Sequence, residues 1–309
     1  MKIDDIEAFV TVVRCQSISH AAQALDLTQP AVTRRIQNFE EDLGAVLLDR
    51  NTKPPKPTAM GKLVYEQCLQ IIREVEALRH LAANDSRPSG SLRLGVVQTV
   101  GDVVLLDALR ELRQAFPDLN TQVSTSWSSR LLDRLKDGEL DAAIALFPPG
   151  KSFAEELVVR ALGEIDLVVV ARKDDYPKRS YRLRDCWERG WVLNPDGCGF
   201  RATLHRMLTG QGLALKTNLE IFGAELQLGL VASGMGLGLM AEPLLARSAY
   251  RDQLRVLPLT DFKARLTLSL LHPKLIGKLQ QPLASLGDAV TLAFGGSAKA
   301  VRIVGDNAK

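Results

Sequence analysis

The chain has 309 residues, 46% hydrophobic and 24% charged, the profile of an ordinary globular protein long enough for two or three cored domains. Its start, Met1-Lys2-Ile3-Asp4-Asp5, has no apolar run, and no later stretch approaches the roughly 20 apolar residues of a membrane helix, so neither a secretory signal nor a membrane partner is expected. A net charge of +3 permits a polyanionic partner without demanding one, and four scattered cysteines (Cys15, Cys68, Cys186, Cys198) suit a reducing cytoplasm with no metal site, no cofactor and no disulfide.

Residues 3–15 read as a first helix with Ile6, Phe9, Val10 and Val13 on one face. Ser19 can cap a second helix that reaches about Leu25 and buries Ala21 and Ala22. Asp26-Leu27-Thr28-Gln29 makes a turn, and Thr28 or Gln29 caps a third helix with Pro30 in its first turn, where a missing N–H costs nothing. That helix buries Val32, Ile36 and Phe39 and turns Thr33, Arg34 and Gln37 outward. The pattern is a helix-turn-helix whose second helix suits a major groove. Three prolines in residues 54–57 then forbid helix and keep a lysine-bearing loop stiff, a plausible wing along phosphates.

Thr58 caps a long helix to about residue 83, where Val64, Cys68, Ile71, Val75 and Leu78 repeat at alternating spacings of four and three. This heptad seam predicts pairing with a second copy. Residues 84–90 have the composition of a hinge. Beyond it strands and helices alternate: strands at 92–97, 120–126 and 141–146 with helices at 101–115 and 129–136. A second set follows, with strands near 165–171, 191–193 and 216–222, helices near 200–210 and 224–231, and strands at 237–240 and 265–271 that close the sheets.

The N-terminal segment resembles the DNA-binding domain of LysR-type transcriptional regulators. Phe9, Ser17, Ala21, Ala22, Gln29, Pro30, Ala31, Val32, Ile36, Glu40, Leu43, Gly44, Leu47, Arg50, Thr58 and Gly61 fall at the matching offsets. Thr33, Phe39, Leu48 and Gln16 depart from the usual Ser, Leu, Phe and Gly. The resemblance implies an α/β multidomain protein. An N-terminal winged helix-turn-helix (residues 1–58) leads through a linker and dimerisation helix (59–87) to an effector domain (88–309). That domain is like periplasmic binding proteins, with subdomain I at about 91–162 and 268–295 and subdomain II at about 163–267. It also implies tetramers built as dimers of dimers, with RNA polymerase a further candidate partner.

Phosphate contacts position such a protein and base contacts specify the sequence. Arg34 is the candidate for bidentate contact with guanine, Gln29 for adenine or a phosphate, and Ala31 and Thr33 are small enough to approach thymine methyls. Ser19, Thr28 and Pro30 complete the DNA-facing set, with Arg35, Arg50 and Lys53 as structural or phosphate-contacting cations. Two copies joined by the seam predict an operator in double-stranded DNA with inverted half-sites. A small-molecule effector, anionic by the helix N-termini expected there, belongs at strand ends between the α/β halves, beside Thr99, Ser126, Trp127, Ser128, Phe147, Phe200 and Phe222.

Two other readings compete. Cys198, beside Arg201, stands near where peroxide-sensing members of the family carry a reactive cysteine, which allows a redox-responsive regulator; the motif is out of step and position 208 is Leu. A solute-binding protein without DNA activity is the other, against which the helix-turn-helix counts. Gly234-Met235-Gly236-Leu237-Gly238 follows a helix and opens a strand, so it is no dinucleotide fingerprint, and four isolated histidines give no catalytic set. No enzymatic activity is expected.

Overall fold

A computed structural model describes residues 1–49, 52, 54–82 and 88–294. The expected contacts Arg50 and Lys53, and most of the expected hinge, lie outside the described residues. The chain divides into two units, one built on the N-terminal residues and the other on nearly everything from Pro88 onward.

The first unit contains α1 (Ile3–Cys15), α2 (Ile18–Ala24), α3 (Gln29–Leu43), the two-stranded hairpin of β1 (Leu48–Asp49) and β2 (Lys56–Pro57), and α4 (Ala59–Ala82). Asp4 and Asp5 lie in the first turn of α1, where a helix favours acids. Its buried Phe9 meets Phe39 of α3 at 5.7 Å between ring centroids. Burying each such ring contributes about 2–3 kcal/mol. Ser17, not Ser19, caps α2: its backbone is extended and its hydroxyl accepts from the His20 N–H at 3.3 Å. The helix starts two residues earlier than expected, so Ser19 lies inside it and exposed. α3 ends at Gly44, whose φ of 64° closes the helix in the left-handed conformation that glycine adopts without strain.

The face of α4 also differs from the expected seam. Cys68, 2% exposed, and Leu69 are buried in the core that α1 and α3 build, with Val64, Tyr65 and Ile72 packed against it. Tyr65 meets Phe9 edge-on at 6.5 Å. α1 therefore covers Val64 and Cys68, which removes them from any pairing surface. Among the described side chains of α4, Leu63, Ile71 and Leu78 are left in solvent, at 61%, 39% and 66% exposure, with Met60 a turn earlier and Val75 half-buried. Ile71, Val75 and Leu78 of the predicted seam stay in that row, while Val64 and Cys68 leave it for the core.

The second unit runs in the order β3 (Gly90–Val96), α5 (Gln98–Val103), α6 (Leu105–Ala115), β4 (Leu119–Thr125), α7 (Ser128–Lys136), β5 (Ala142–Phe147), β6 (Leu157–Arg172) and α8 (Leu183–Cys186). It continues with β7 (Trp191–Leu193), α9 (Gly199–Thr209), β8 (Thr217–Glu220), α10 (Ala224–Ala232), β9 (Leu237–Ala241), α11 (Glu242–Arg247), β10 (Leu254–Val256), β11 (Ala264–Pro273) and α12 (Gln280–Ala293). The helix expected over 101–115 is two helices, broken at Val104, whose φ/ψ of −139°/−14° leaves the helical region at a pair of β-branched residues.

Among the described residues the strands form one nine-stranded sheet in the order β4-β3-β5-β11-β6-β9-β7-β8, with β10 beside β6. Each end is a parallel trio, β4-β3-β5 and β8-β7-β9, and the antiparallel pair β11 and β6 joins them. Instead of two closed sheets, the two α/β halves are thus continuous through β6, whose 16 residues serve both. The ladder between β11 and β6 shifts register at Leu268/Ser269, a bulge-like irregularity. Apolar side chains fill β5 along its whole length, as befits a strand covered on both faces.

Candidate DNA-reading helix and effector cleft

α3 buries Val32, Ile36 and Phe39 and leaves Thr28, Gln29, Pro30 and Arg34 exposed, with Ala31 and Thr33 half-buried. Thr28 occupies the N-cap position, yet its side chain makes no capping bond, which leaves the hydroxyl available. Arg34 has no ion-pair partner among the described residues. Arg35 does: its guanidinium reaches the Asp4 carboxylate at 3.1 Å and the Asp4 carbonyl at 3.4 Å. Arg35 therefore ties α3 to α1, the structural role of the two the sequence allowed.

Three side chains hold the wing in place, one of them reaching it from α3. The Glu40 carboxylate, 8% exposed, accepts from the Leu47 and Leu48 N–H groups at 2.8 and 3.1 Å and so holds β1 against α3. Thr58 donates its hydroxyl to the Val46 carbonyl at 2.9 Å and accepts from the Gly61 N–H at 2.9 Å, while its own N–H reaches the Leu47 carbonyl at 2.9 Å. A Cβ on Gly61 would stand 2.0 Å from the Leu47 carbonyl oxygen, so only glycine fits there. Thr52 closes the wing tip, donating to the Asp49 carbonyl and accepting from the Lys56 N–H, each at 3.0 Å. Lys56 is exposed.

In the second unit a cleft with about 590 Å³ of empty space opens at the carboxyl ends of β3, β4 and β7, where open α/β sheets place ligands. Thr99, Trp127, Ser128 and Phe200 line it, as expected. Thr99 is 5% exposed, and its hydroxyl has no partner among the described residues. Ser128 is partly committed, its hydroxyl accepting from the Leu146 N–H at 3.1 Å.

Three expected residues stand elsewhere. Phe147 is buried on the opposite face of β5, against Phe153 at 5.0 Å, because alternate strand residues face opposite ways; its neighbour Leu146 lines the cleft instead. Ser126 is absent from the wall, and its N–H extends the strand by bonding the Val96 carbonyl. Phe222, 65% exposed, is also off the wall and stacks on Trp127 at 6.0 Å.

The sequence reading missed Asp102, Asn194 and Gln227, with the apolar Met240, Leu244 and Leu266. Gln227 was findable as a lone amide in an otherwise apolar run of α10. It is 2% exposed, and its Nε2 donates to the Val192 carbonyl at 2.7 Å, with the Leu239 carbonyl at 3.4 Å. Asp102 is exposed and accepts from the Gln98 amide at 3.2 Å, one helical turn away; desolvation by the protein around it raises its carboxyl despite that bond. Arg247 of α11 donates to the Val103 carbonyl, steadying the end of α5 that carries Asp102.

Cys198 caps α9 and is 5% exposed. Burial pushes its thiol up, against hydrogen bonds from the Arg201 and Phe200 backbone and the Asn194 side chain. The Arg201 guanidinium beside it is held by Asp196 at 2.9 Å and Glu220 at 2.6 Å, so its charge is largely spent. Among the described residues no group of His, Cys, Asp and Glu side chains could hold a metal ion, and no helix is long and apolar enough to cross a membrane.

Residues 3–62 match the family model described as "Bacterial regulatory helix-turn-helix protein, lysR family", and residues 85–284 match "LysR substrate binding domain". The regulator CysL of Bacillus subtilis is 26% identical over 280 residues, which cover 89% of this chain and 92% of that protein. OxyR of Escherichia coli is 26% identical over 275 residues, 88% of this chain and 89% of that protein. A full-length OxyR variant from Pseudomonas aeruginosa superposes with a TM-score of 0.75 at 19% identity, over 94% of this chain and 98% of that one. CbnR complexed with its target DNA gives a TM-score of 0.56 at 20% identity, over 95% and 100%. At these identities the structural likeness concerns the fold. The family matches span most of the chain, and with the braced recognition helix they make it a member of the LysR family, a DNA-binding transcriptional regulator with an effector-binding domain.

Proposed function

We propose that two copies of this chain read an operator of inverted half-sites, and that a small effector bearing a negatively charged group controls them from the cleft. The observation that carries the reading is Arg34: exposed, without an ion-pair partner among the described residues, and presented on a helix that Glu40 and Arg35 brace on either side. Gln29 and Thr33 flank it for adenine or thymine contacts, and Lys56 follows the backbone. Leu63, Ile71 and Leu78 on α4 supply the apolar row for pairing, and family resemblance extends the pair to a tetramer acting in the bacterial cytoplasm.

In the cleft, α7, α9 and α10 each begin at the wall with backbone N–H groups that favour an anion. An effector with unequal affinity for two cleft geometries shifts their populations and so the presentation of the two reading helices. The test is fluorescence anisotropy on a labelled inverted repeat as salt is varied, with a half-site control. Tight binding to the repeat and equal, weak binding to half-site and random duplex distinguish the reading from its failure.

A redox regulator is the second reading, since OxyR relatives carry names such as "Hydrogen peroxide-inducible genes activator". Cys198 is its residue, but the raised thiol, the spent charge of Arg201 and a fully buried Leu208 in place of a second cysteine disfavour it. Rapid alkylation of Cys198 at neutral pH, faster than the half-buried Cys15, would restore it.

A further inference from the structure

Charge on the cleft wall is one-sided. Among the described residues no Lys, Arg or His lines it, and Asp102 is the one lining residue with a carboxylate. A simple anion drawn to the N-termini of α9 and α10 would meet that carboxylate with nothing to offset it. Acceptors are in surplus as well. The Gln98 amide donates to one Asp102 oxygen, leaving the second carboxylate oxygen and the Gln98 carbonyl with capacity to spare. Gln227 commits its Nε2 to two backbone carbonyls, which leaves its Oε1 as a further acceptor on the same wall. Leu146, Leu244 and Leu266 supply apolar surface that deepens the penalty for an unmatched charge.

We infer that Asp102 is a specificity determinant, and that the cleft selects a small zwitterion: a molecule whose acid group lies at the helix N-termini and whose protonated amine meets Asp102. This deepens the effector reading above and rests on it. The amine cancels the charge an isolated acid would face, and the acceptors of Gln98 and Gln227 take its remaining protons. A molecule lacking that donor brings its negative charge towards Asp102, an exposed carboxylate on the wall, with no cation among the lining residues to offset it.

The experiment is a thermal-shift and calorimetric titration of the full chain with matched pairs: leucine against 4-methylpentanoate, phenylalanine against 3-phenylpropanoate, and glutamate against pentanedioate. A ligand of the folded form raises the midpoint with concentration. We expect at least one amino acid to bind at least about tenfold more tightly than its deaminated partner. Asp102→Asn should abolish that preference while leaving the unliganded midpoint unchanged, and Asp102→Glu, which keeps the charge, should restore part of it. Deaminated acids that bind as well as the amino acids, or more tightly to Asp102→Asn, overturn the inference but keep the cleft if Thr99→Val weakens them. Binding that survives both Thr99→Val and Gln227→Leu lies outside the cleft and overturns the effector reading itself. No shift from any member of the panel overturns the zwitterion.

Discussion

Phe222 stacks on Trp127, their planes 18° apart, and so links the residues after β8 to those after β4, one from each half of the sheet. Trp127 is also packed against Gly197, where a Cβ would stand 2.8 Å from its ring. The indole that lines the cleft is therefore gripped by two segments of the opposite half. Aromatic pairs add about 0.5–1.5 kcal/mol beyond the area they bury. Phe222→Ala should cost no more than about 1 kcal/mol in stability, because the ring is largely exposed, yet it should open Trp127 to solvent. Acrylamide quenching measures this, with Trp127→Phe to subtract Trp187 and the fully buried Trp191. Quenching equal in the wild type and Phe222→Ala would mean the stack shields nothing.

Arg34 and Arg35 are adjacent in sequence but differ in work. Arg34→Ala should lose about 1–3 kcal/mol of discrimination at one base position, and Arg34→Lys most of it, because an ammonium lacks the planar fork that matches guanine. Arg35→Ala breaks only the pair with Asp4, whose carboxylate is 60% exposed, and pairs of that kind are worth about 0–1 kcal/mol. Anisotropy on operators carrying single base changes separates the two. If Arg35→Ala relaxes specificity as much as Arg34→Ala does, the division of roles is wrong.

The contrast between the two units explains what could be read in advance. In the first unit the informative residues have local backbone reasons: Pro30 in a first helical turn, Gly44 in a left-handed cap, Thr58 bonding Gly61 three residues on. Such reasons are visible in a short window. The cleft depends instead on strand phase, and one step along β5 exchanges Leu146 for Phe147 and moves the ring to the other face. Cys68 failed for a related reason. Its heptad spacing is real, but the partner that covers it is α1 of the same chain, and periodicity does not say which helix supplies the opposing face. The first half of β6 was invisible because its residues are only partly buried and lack a clean alternation.

Gly61→Ala should damage the first unit more than its size suggests. The added carbon would stand 2.0 Å from the Leu47 carbonyl oxygen, a backbone atom that is itself held by the Thr58 N–H, so the wing must move. Overpacking against backbone costs about 1–3 kcal/mol. The expected result is a lower thermal midpoint for the first unit and weaker DNA binding, with effector-domain stability unchanged by hydrogen exchange. Full DNA affinity in Gly61→Ala would show that the position of the wing does not matter for reading.

Glu40→Leu removes the acceptor of two N–H groups at the buried start of β1, and each donor left unpaired costs about 1–3 kcal/mol. Glu40→Gln keeps one acceptor oxygen and should recover much of the loss. Thermal midpoints of the two variants should therefore rank wild type, Glu40→Gln, Glu40→Leu. Equal midpoints for Gln and Leu would deny the carboxylate its bracing role.

His272 gives the fold a pH dependence whose sign is fixed by its surroundings. Burial lowers its pKa below 6.5, and the bond to the Pro273 carbonyl at 2.7 Å opposes that only in part. The unfolded chain takes up its proton near 6.5, whereas the folded chain resists until lower pH. Between those two values the unfolded state holds more protons, so stability falls as pH is lowered through that window and levels off below it. His272→Gln removes the titration, so its midpoint should decline less than the wild type's as the pH drops from about 6.5. Urea midpoints taken across the window decide the matter, because parallel curves for the two proteins would place the pH dependence on other groups.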